Sequence, residues 1–154
     1  MLPGLASLSY EDRLKVLKLP TLRFRRLRGD LIEVYKILTG IYDTTVTKGL
    51  FTPMSYHHTR GHSLKIEKHH CRLDIRRNFF TQRIIDIWNV LPESTVRATS
   101  VNIFKNRIDS YLQDQPMKYN YNEPFNTTTR TGNTTNIFQE SELNIEAKDC
   151  LRSE

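Results

Sequence analysis

Residues 23–38 read RFRRLRGDLIEVYKIL, and their apolar side chains recur at the spacing of an α-helix. At 100° per residue these side chains lie within an arc about 100° wide, which is typical of a helix face that packs on a core. Arg25 and Lys36 lie roughly opposite that arc. We therefore predict an amphipathic helix from about Leu22 to Thr39, ended by Gly40. The apolar arc comprises Phe24, Leu27, Leu31, Val34, Tyr35 and Leu38.

Weaker patterns of the same period predict three more helices. The first begins after Ser9, a suitable N-cap, and ends near Pro20. The third runs from about residue 78 to residue 90, and the fourth follows a Ser100 cap and extends to Leu112. We expect the indole N–H of Trp88 to donate to a nearby carbonyl, as buried tryptophans usually do. The predicted buried side chains of the last two helices are Phe80, Ile84, Ile87, Trp88, Val101, Phe104, Ile108, Tyr111 and Leu112.

Between the second and third helices the apolar pattern changes to period two. Residues 41–61 contain threonine, glycine and proline at turn-forming spacing and predict a loop. Leu64 and Ile66 then alternate with polar residues, and Leu73 and Ile75 do so again. This alternation predicts two short strands that are joined through residues 68–71 as a β-hairpin.

The pattern changes again after Leu112. Asn and Thr make up twelve of the last forty-two residues, and no periodic apolar pattern is sustained. Such a composition buries too little apolar surface to offset the entropy of ordering, and we predict a disordered tail. The predicted fold is therefore mainly α: a small domain of about four helices with one short β-hairpin at residues 1–112, and a polar, disordered tail at residues 113–154.

Charge is distributed unevenly along the chain. Twenty-three Lys and Arg against seventeen Asp and Glu give a net charge of +6. Residues 1–112 hold nineteen basic and ten acidic side chains, whereas residues 113–154 hold four and seven. A basic body with an acidic tail favours a polyanionic partner for the body. The alternative is a solvated basic surface that has no partner.

Two arginine-rich clusters, the first at residues 23–28 and the second at residues 72–83, make nucleic acid the predicted partner. Guanidinium groups bind phosphate oxygens bidentately and stay charged. Asp30 and Glu33 could pair with the first cluster, but two carboxylates cannot neutralise all of it. Phe79 beside the second cluster is a candidate for stacking on a base, whereas Phe80 belongs to the predicted core stripe. The predicted nucleic-acid-binding residues are Arg23, Arg25, Arg26, Arg28, Lys36, Arg72, Arg76, Arg77 and Arg83.

Other chemistries find little support in the sequence. A polymerase needs carboxylates that converge on two metal ions, and the string at residues 10–13, YEDR, lacks the second aspartate of a Tyr-x-Asp-Asp turn. We predict neither an enzyme nor a cofactor, and no small-molecule substrate. One cysteine among several histidines could suggest zinc, but their spacing matches no zinc-finger pattern, and we interpret them as surface residues. These residues are His57, His58, His62, His69, His70 and Cys71.

The sequence also indicates a location for the chain. Its first residues lack the charged and apolar segments of a signal peptide, and no apolar stretch approaches the ~18 residues that a membrane span needs. Cys71 and Cys150 lie in dissimilar contexts, so we expect two reduced thiols and no disulfide. These features predict an intracellular protein, cytoplasmic or nuclear, with no membrane partner.

Four strings resemble one protein family in sequence order. They are LSYEDRLKVLKLPTLRFRRLRGDLIEVYKILTG (residues 8–40), TRGHSLKI (59–66), CRLDIRRNFFTQRIIDIWNVLPES (71–94) and SVNIFKNRIDSYL (100–112). Together they are similar to the C-terminal region of jockey-like LINE (non-LTR retrotransposon) reverse transcriptases, namely the end of the thumb and the segment after it. The resemblance covers about residues 3–120, and its strings RRLRGD and WNVLP are rather specific.

The resemblance implies a parent RNA-directed DNA polymerase with an endonuclease and a fingers–palm module upstream. In that family the thumb grips the template–primer backbone, which implies such a role for the first cluster and for Arg72, Arg76 and Arg77. We therefore predict a truncated retrotransposon reading frame that retains at most sequence-independent binding of RNA or RNA–DNA duplex and no polymerase activity. The alternatives are a protein-interaction module and a functionless transposon remnant.

Overall fold

The protein is mainly helical, as predicted, in a computed structural model that describes residues 4–55, 61–128 and 134–136. Two three-residue strands, β1 (Asn126–Thr128) and β2 (Thr134–Asn136), pair antiparallel. Within the described ranges no helix has both the length and the apolarity to cross a membrane. The helices are α1 (Tyr10–Leu17), α2 (Leu22–Leu38), α3 (Thr44–Thr47), α4 (Asp74–Arg77), α5 (Phe80–Arg83), α6 (Ile85–Asn89), α7 (Glu93–Val96) and α8 (Val101–Leu112), followed by a 3₁₀ turn at Pro116–Lys118.

The chain forms two compact units. The first unit combines Met1–Arg26 with Leu112–Glu154, and the second unit is Leu27–Tyr111. The predicted division into residues 1–112 and residues 113–154 stays a prediction.

In the first unit, α1 is a capped but unburied helix. The Ser9 hydroxyl accepts from the Asp12 N–H at 3.2 Å, which confirms the predicted N-cap. The helix ends in a left-handed residue, Lys18, with φ +54°. The next N–H, that of Leu19, reaches back to the Leu14 carbonyl at 3.0 Å. This closing pattern satisfies carbonyls that the helix end leaves without intrahelical donors.

The first unit also fixes the beginning of α2. The Thr21 hydroxyl accepts from the Phe24 N–H at 3.2 Å and donates to the Met117 carbonyl at 2.8 Å. Met117 and Phe125 are buried, so packing continues past Leu112. More than half of the predicted disordered tail, residues 129–133 and 137–154, lies outside the described residues.

The second unit contains an aromatic core. The Tyr35 ring stacks on Phe104 with the ring centres 4.3 Å apart, and its hydroxyl donates to the Ala98 carbonyl at 2.7 Å. Trp88 is fully buried, and its indole N–H donates to the Leu64 carbonyl at 2.7 Å, as predicted. The remaining buried apolar side chains of this unit are Leu27, Leu31, Ile32, Val34, Ile66, Ile84, Ile85, Ile87, Leu91, Val96, Ala98 and Ile108.

The predicted apolar face of α2 is confirmed by its burial. Five of the six predicted side chains are buried, whereas Leu38 is half-buried and Ile32, which was not predicted, is buried as well. Gly40, at φ +70°, ends the helix as predicted. Its N–H reaches the Ile37 carbonyl at 3.3 Å, and the N–H of Ile41 reaches the Lys36 carbonyl at 3.0 Å. This paired arrangement requires a left-handed residue, which glycine adopts without a steric penalty.

The β-hairpin predicted between residues 64–66 and 73–75 is not formed. The backbone of residues 65–67 bonds instead to residues 52–54, with Ile66 bridging Pro53. The Asn89 carboxamide satisfies both the N–H and the carbonyl of Ile66, at 2.9 and 2.8 Å. Residues 74–77, left without a strand partner, form α4.

Two other sequence predictions need correction. The predicted third helix is divided into α5 and α6 at Ile84, which has φ −87° and ψ −19°. Both Ile84 and Ile85 are buried, although neighbouring positions of a regular helix point about 100° apart. The predicted loop at residues 41–61 contains α3, because the Asp43 carboxylate accepts from the Thr45 N–H at 2.8 Å and caps it.

Replacing Leu31 by alanine should lower the free energy of unfolding by about 2–5 kcal/mol, because the change leaves a cavity in the core. Leu31 is completely buried in α2, whereas Arg25 on the same helix is exposed. Arg25→Ala should therefore change the free energy of unfolding by less than about 0.5 kcal/mol. Urea denaturation, monitored by circular dichroism, measures the free energy of unfolding of both variants. Equal losses from the two would show that the buried face of α2 is misassigned.

Candidate nucleic-acid interface

Three of the predicted basic residues lie in the first unit, at the start of α2. Arg23 is half-buried and donates to the backbone carbonyls of Tyr121 and Glu123, at 2.8 and 3.4 Å. Arg25 and Arg26 are exposed and form no ion pair with any described residue. Arg23 therefore joins α2 to the backbone of residues 121–123, whereas Arg25 and Arg26 stay accessible to a ligand.

In the second unit, Arg28 and Lys36 are bound to acidic side chains. The guanidinium of Arg28 binds both carboxylate oxygens of Asp109 in α8, at 2.5 and 2.7 Å. This bidentate contact raises the pKa of Arg28. Lys36 contacts Glu33 at 2.7 Å, and the pKa of Glu33 is lowered by hydrogen bonds from Lys36 and then from Tyr42. Both cations have internal partners.

Arg83 forms the least exposed ion pair of the described residues. Its guanidinium donates to both carboxylate oxygens of Asp30, with distances of 2.7 to 2.9 Å. The two side chains are only 22% and 16% exposed. The pair joins α5 to α2 within the second unit. Arg83 also donates to the Asn78 carbonyl at 3.1 Å and lies over the Phe80 ring at 5.9 Å.

The other three predicted residues lie together in an exposed stretch, Arg72–Phe79, here named the arginine segment. None of its eight residues is buried. Arg72 and Arg76 form no ion pair with any described residue, and Arg77 contacts Asp74 at 3.4 Å across one helical turn. An exposed pair of this kind contributes little to stability and is easily exchanged. The segment therefore presents three arginines and one carboxylate to solvent.

Apolar side chains are interleaved with these arginines. Leu73, Ile75 and Phe79 are 68%, 76% and 60% exposed. The sequence pattern predicted Leu73 and Ile75 as residues of a hairpin strand, and that hairpin is not formed. No sequence signal distinguishes this exposed alternation from that of a half-buried strand, because both have period two.

The two adjacent phenylalanines have different surroundings, as the sequence predicts. The half-buried Phe80 packs edge-on against Phe51, with the ring centres 5.7 Å apart. The Phe79 ring is exposed, and its backbone carbonyl accepts from the N–H groups of Gln82 and Arg83, at 2.9 and 3.0 Å. The first turn of α5 therefore holds the Phe79 backbone while the ring faces solvent.

The histidines and the cysteine do not form a metal centre within the described residues. No group of three or more His, Cys, Asp and Glu side chains in these ranges lies close enough to hold an ion. Cys71 is free and half-buried. His69 and His70 are exposed, and His57 and His58 lie outside the described residues.

His62 was predicted to lie on the surface, and it is buried instead. Its Nε2 lies 2.8 Å from the Trp88 carbonyl, which can only accept, so Nε2 bears the hydrogen. Nδ1 is buried and has no partner among the described residues. Burial lowers the pKa of His62, and the neutral ring packs edge-on against the Trp88 indole.

The acidic side chains that come nearest to a polymerase motif have structural partners in the first unit. Glu11 pairs with Lys15 at 2.9 Å, and the Asp12 carboxylate accepts from the Ser9 hydroxyl at 2.6 Å. These contacts stabilise the two ends of a short exposed helix, α1. They bring no further carboxylate to Asp12.

The chain matches no protein-family model, no curated protein and no solved structure. The resemblance to LINE reverse transcriptases therefore stays a prediction from sequence. The structure divides the nine predicted residues by their contacts. Five are exposed, namely Arg25, Arg26, Arg72, Arg76 and Arg77, and four have internal partners, namely Arg23, Arg28, Lys36 and Arg83.

Arg83→Gln should lower the free energy of unfolding by about 1–3 kcal/mol, because it leaves the poorly exposed Asp30 without its charged partner. Arg76→Gln, at an exposed position, should change it by less than about 0.5 kcal/mol. Combining Arg83→Gln with Asp30→Asn should cost less than the sum of the single changes. Thermal and urea denaturation measure all of these variants. If Arg83→Gln left the free energy of unfolding almost unchanged, this pair would not stabilise the fold, and Arg83 would be available to a ligand.

Acidification from about pH 7.5 to about pH 5.5 should destabilise the protein through His62. The unfolded chain, whose histidines titrate near pH 6.5, binds the proton more readily than the fold does. Stability is therefore full above that pH and is lost as the pH falls below it. Urea midpoints measured across this range should fall less in His62→Gln than in the wild type. His70→Gln, which changes an exposed ring, should keep the wild-type dependence. If the urea midpoint of His62→Gln fell with pH as steeply as that of the wild type, the assignment of the pH dependence to His62 would be refuted.

Proposed function

We propose that this chain is the C-terminal region of a LINE-type reverse transcriptase and binds RNA or RNA–DNA duplex without sequence preference. It would have no polymerase activity, since its sequence offers no set of carboxylates suited to two metal ions. The observation that supports binding is the exposure of Arg72, Arg76 and Arg77 in a segment that buries none of its residues.

Phosphate neutralisation is the proposed mechanism. A nucleic-acid backbone holds condensed counterions, and an arginine that binds a phosphate releases them, which makes the affinity fall as salt rises. The guanidinium groups of Arg72 and Arg76 release no carboxylate of a described residue when they bind. When Arg77 binds a phosphate, it gives up only its 3.4 Å contact with Asp74. Contacts to phosphate position a ligand and do not read its sequence, so the binding is sequence-independent.

Arg25 and Arg26 provide a second, smaller contact in the first unit. Both are exposed, and they follow one another on the first turns of α2. Arg28, three residues beyond Arg25, is excluded from this contact because Asp109 already occupies its guanidinium. The contribution of each unit is measured separately, through variants that change residues of only one unit.

A second candidate function is protein interaction through α1. This helix buries none of its residues, and four apolar side chains in and just after it are exposed. A specific protein partner would remain bound after nuclease treatment, whereas a nucleic-acid bridge would be lost. The four exposed side chains are Val16, Leu17, Leu19 and Leu22.

Replacing Arg72, Arg76 and Arg77 together by glutamine should weaken the binding of unrelated RNA and duplex sequences about equally. The slope of log affinity against log salt should become shallower by roughly one unit per lost phosphate contact. Fluorescence anisotropy titrations across a salt series measure both quantities. A matched control replaces three cations of the same unit, Lys48, Arg97 and Lys105, by glutamine and removes the same charge from other elements.

The control should retain most of the wild-type affinity, and circular dichroism should show that both triple variants are folded. Equal losses from the two variants would mean that bulk charge holds the nucleic acid, which would remove the assignment to the arginine segment. A wild-type affinity that does not fall with salt would refute phosphate neutralisation altogether.

A further inference from the structure

We propose that the arginine segment binds an unpaired nucleotide, with the Phe79 ring stacked on its base and the neighbouring arginines on its phosphates. The inference rests on the proposed function and adds to it a choice of ligand, namely single-stranded nucleic acid in preference to duplex. It assigns a specificity role to one side chain, Phe79.

The first argument is the combination of side chains in the segment. Three arginines and three apolar side chains are interleaved within eight residues, and every one of them is exposed. An exposed carboxylate occurs once, at Asp74. The backbone of a duplex offers phosphates and sugars to such a surface but keeps the faces of its bases stacked inside. A single strand offers phosphates and bare base faces together.

The second argument is the way in which the Phe79 ring is presented. Phe79 has extended backbone angles, φ −63° and ψ 147°, at the N-terminal boundary of α5. Its N–H donates to the Arg76 carbonyl at 3.2 Å, and its carbonyl accepts two N–H groups of α5. The backbone on both sides of the ring is therefore fixed, so stacking would immobilise only two side-chain torsions.

The third argument comes from the contrast with Phe80. Phe80 packs edge-on against Phe51, and the Arg83 guanidinium lies over its ring, so this ring already has protein partners. The Phe79 ring makes no aromatic contact with any described residue and is 60% exposed. Burial of this ring against a base removes apolar surface from water, and none of the gain depends on salt.

The test compares three fluorescent probes on the intact chain: an oligothymidine strand, an abasic strand of the same length and charge, and a blunt RNA–DNA duplex. The wild type should bind oligothymidine most tightly. Phe79→Ala should weaken oligothymidine binding by about 5- to 150-fold, the equivalent of roughly 1–3 kcal/mol for one stacked base. It should leave the other two probes within about twofold of the wild type, and the salt slope unchanged.

Two further variants sharpen the test. Phe79→Trp keeps a stacking ring and should restore oligothymidine binding. Val46→Ala removes another exposed apolar side chain, which lies in α3 of the same unit, and should have no effect on any probe. Circular dichroism and a urea midpoint establish that each variant is folded.

The possible outcomes separate this inference from the proposed function. If Phe79→Ala binds oligothymidine as the wild type does, or weakens all three probes equally, base stacking by Phe79 is refuted. The proposed function then still stands, provided that the arginine triple variant weakens binding and flattens the salt slope. If the arginine variant has no effect on any probe, the proposed function fails first, and the inference fails with it.

Discussion

The second unit depends on the hydrogen bonds that Trp88 and Asn89 make to the segment at residues 62–66. The Trp88 indole N–H donates to Leu64, and its carbonyl accepts from His62. The Asn89 carboxamide binds both backbone groups of Ile66 and so replaces a residue of a neighbouring strand. Buried backbone groups must be paired, and these two side chains complete that pairing from α6. Residues 73–75 are then not required as a strand, and the arginine segment is left exposed.

The distribution of carboxylates decides which arginines are accessible. Asp109 in α8 binds Arg28, and Asp30 in α2 binds Arg83, so each pair joins residues far apart in sequence. These contacts join helices of the second unit, and the Arg83–Asp30 pair also satisfies two groups of limited exposure. Among the described residues, the arginine segment forms an ion pair only with its own Asp74, one helical turn from Arg77. Basic residues that look alike in the sequence therefore differ in the fold: some form ion pairs between helices, and others are exposed. Tertiary position decides which of the two applies.

The sequence predicted best what depends on a local pattern. The buried face of α2, the Ser9 cap, the Gly40 end and the Trp88 indole contact all follow from spacing or residue type, and the structure confirms them. Pairing over long separations could not be predicted in this way. Nothing near Ile66 in sequence indicates that Pro53 and Asn89 are its neighbours, and the two-residue period looked the same for a hairpin. Residue type was enough to choose the nine basic residues. Their division into exposed residues and residues with internal partners depends on where Asp30 and Asp109 lie in space.

Net charge therefore overstates the charge that a ligand can use. A phosphate that took Arg83 from Asp30 would leave a carboxylate that is only 16% exposed without its partner, a loss of about 1–3 kcal/mol set against any gain. At Arg77 the displaced contact to Asp74 is exposed and contributes at most about 1 kcal/mol. At Arg72 and Arg76 no ion pair with a described residue is displaced. The proposed phosphate binding is accordingly favoured at arginines that have no ion pair with a described residue. In the second unit, two of these arginines lie in the segment from which the predicted strand is missing.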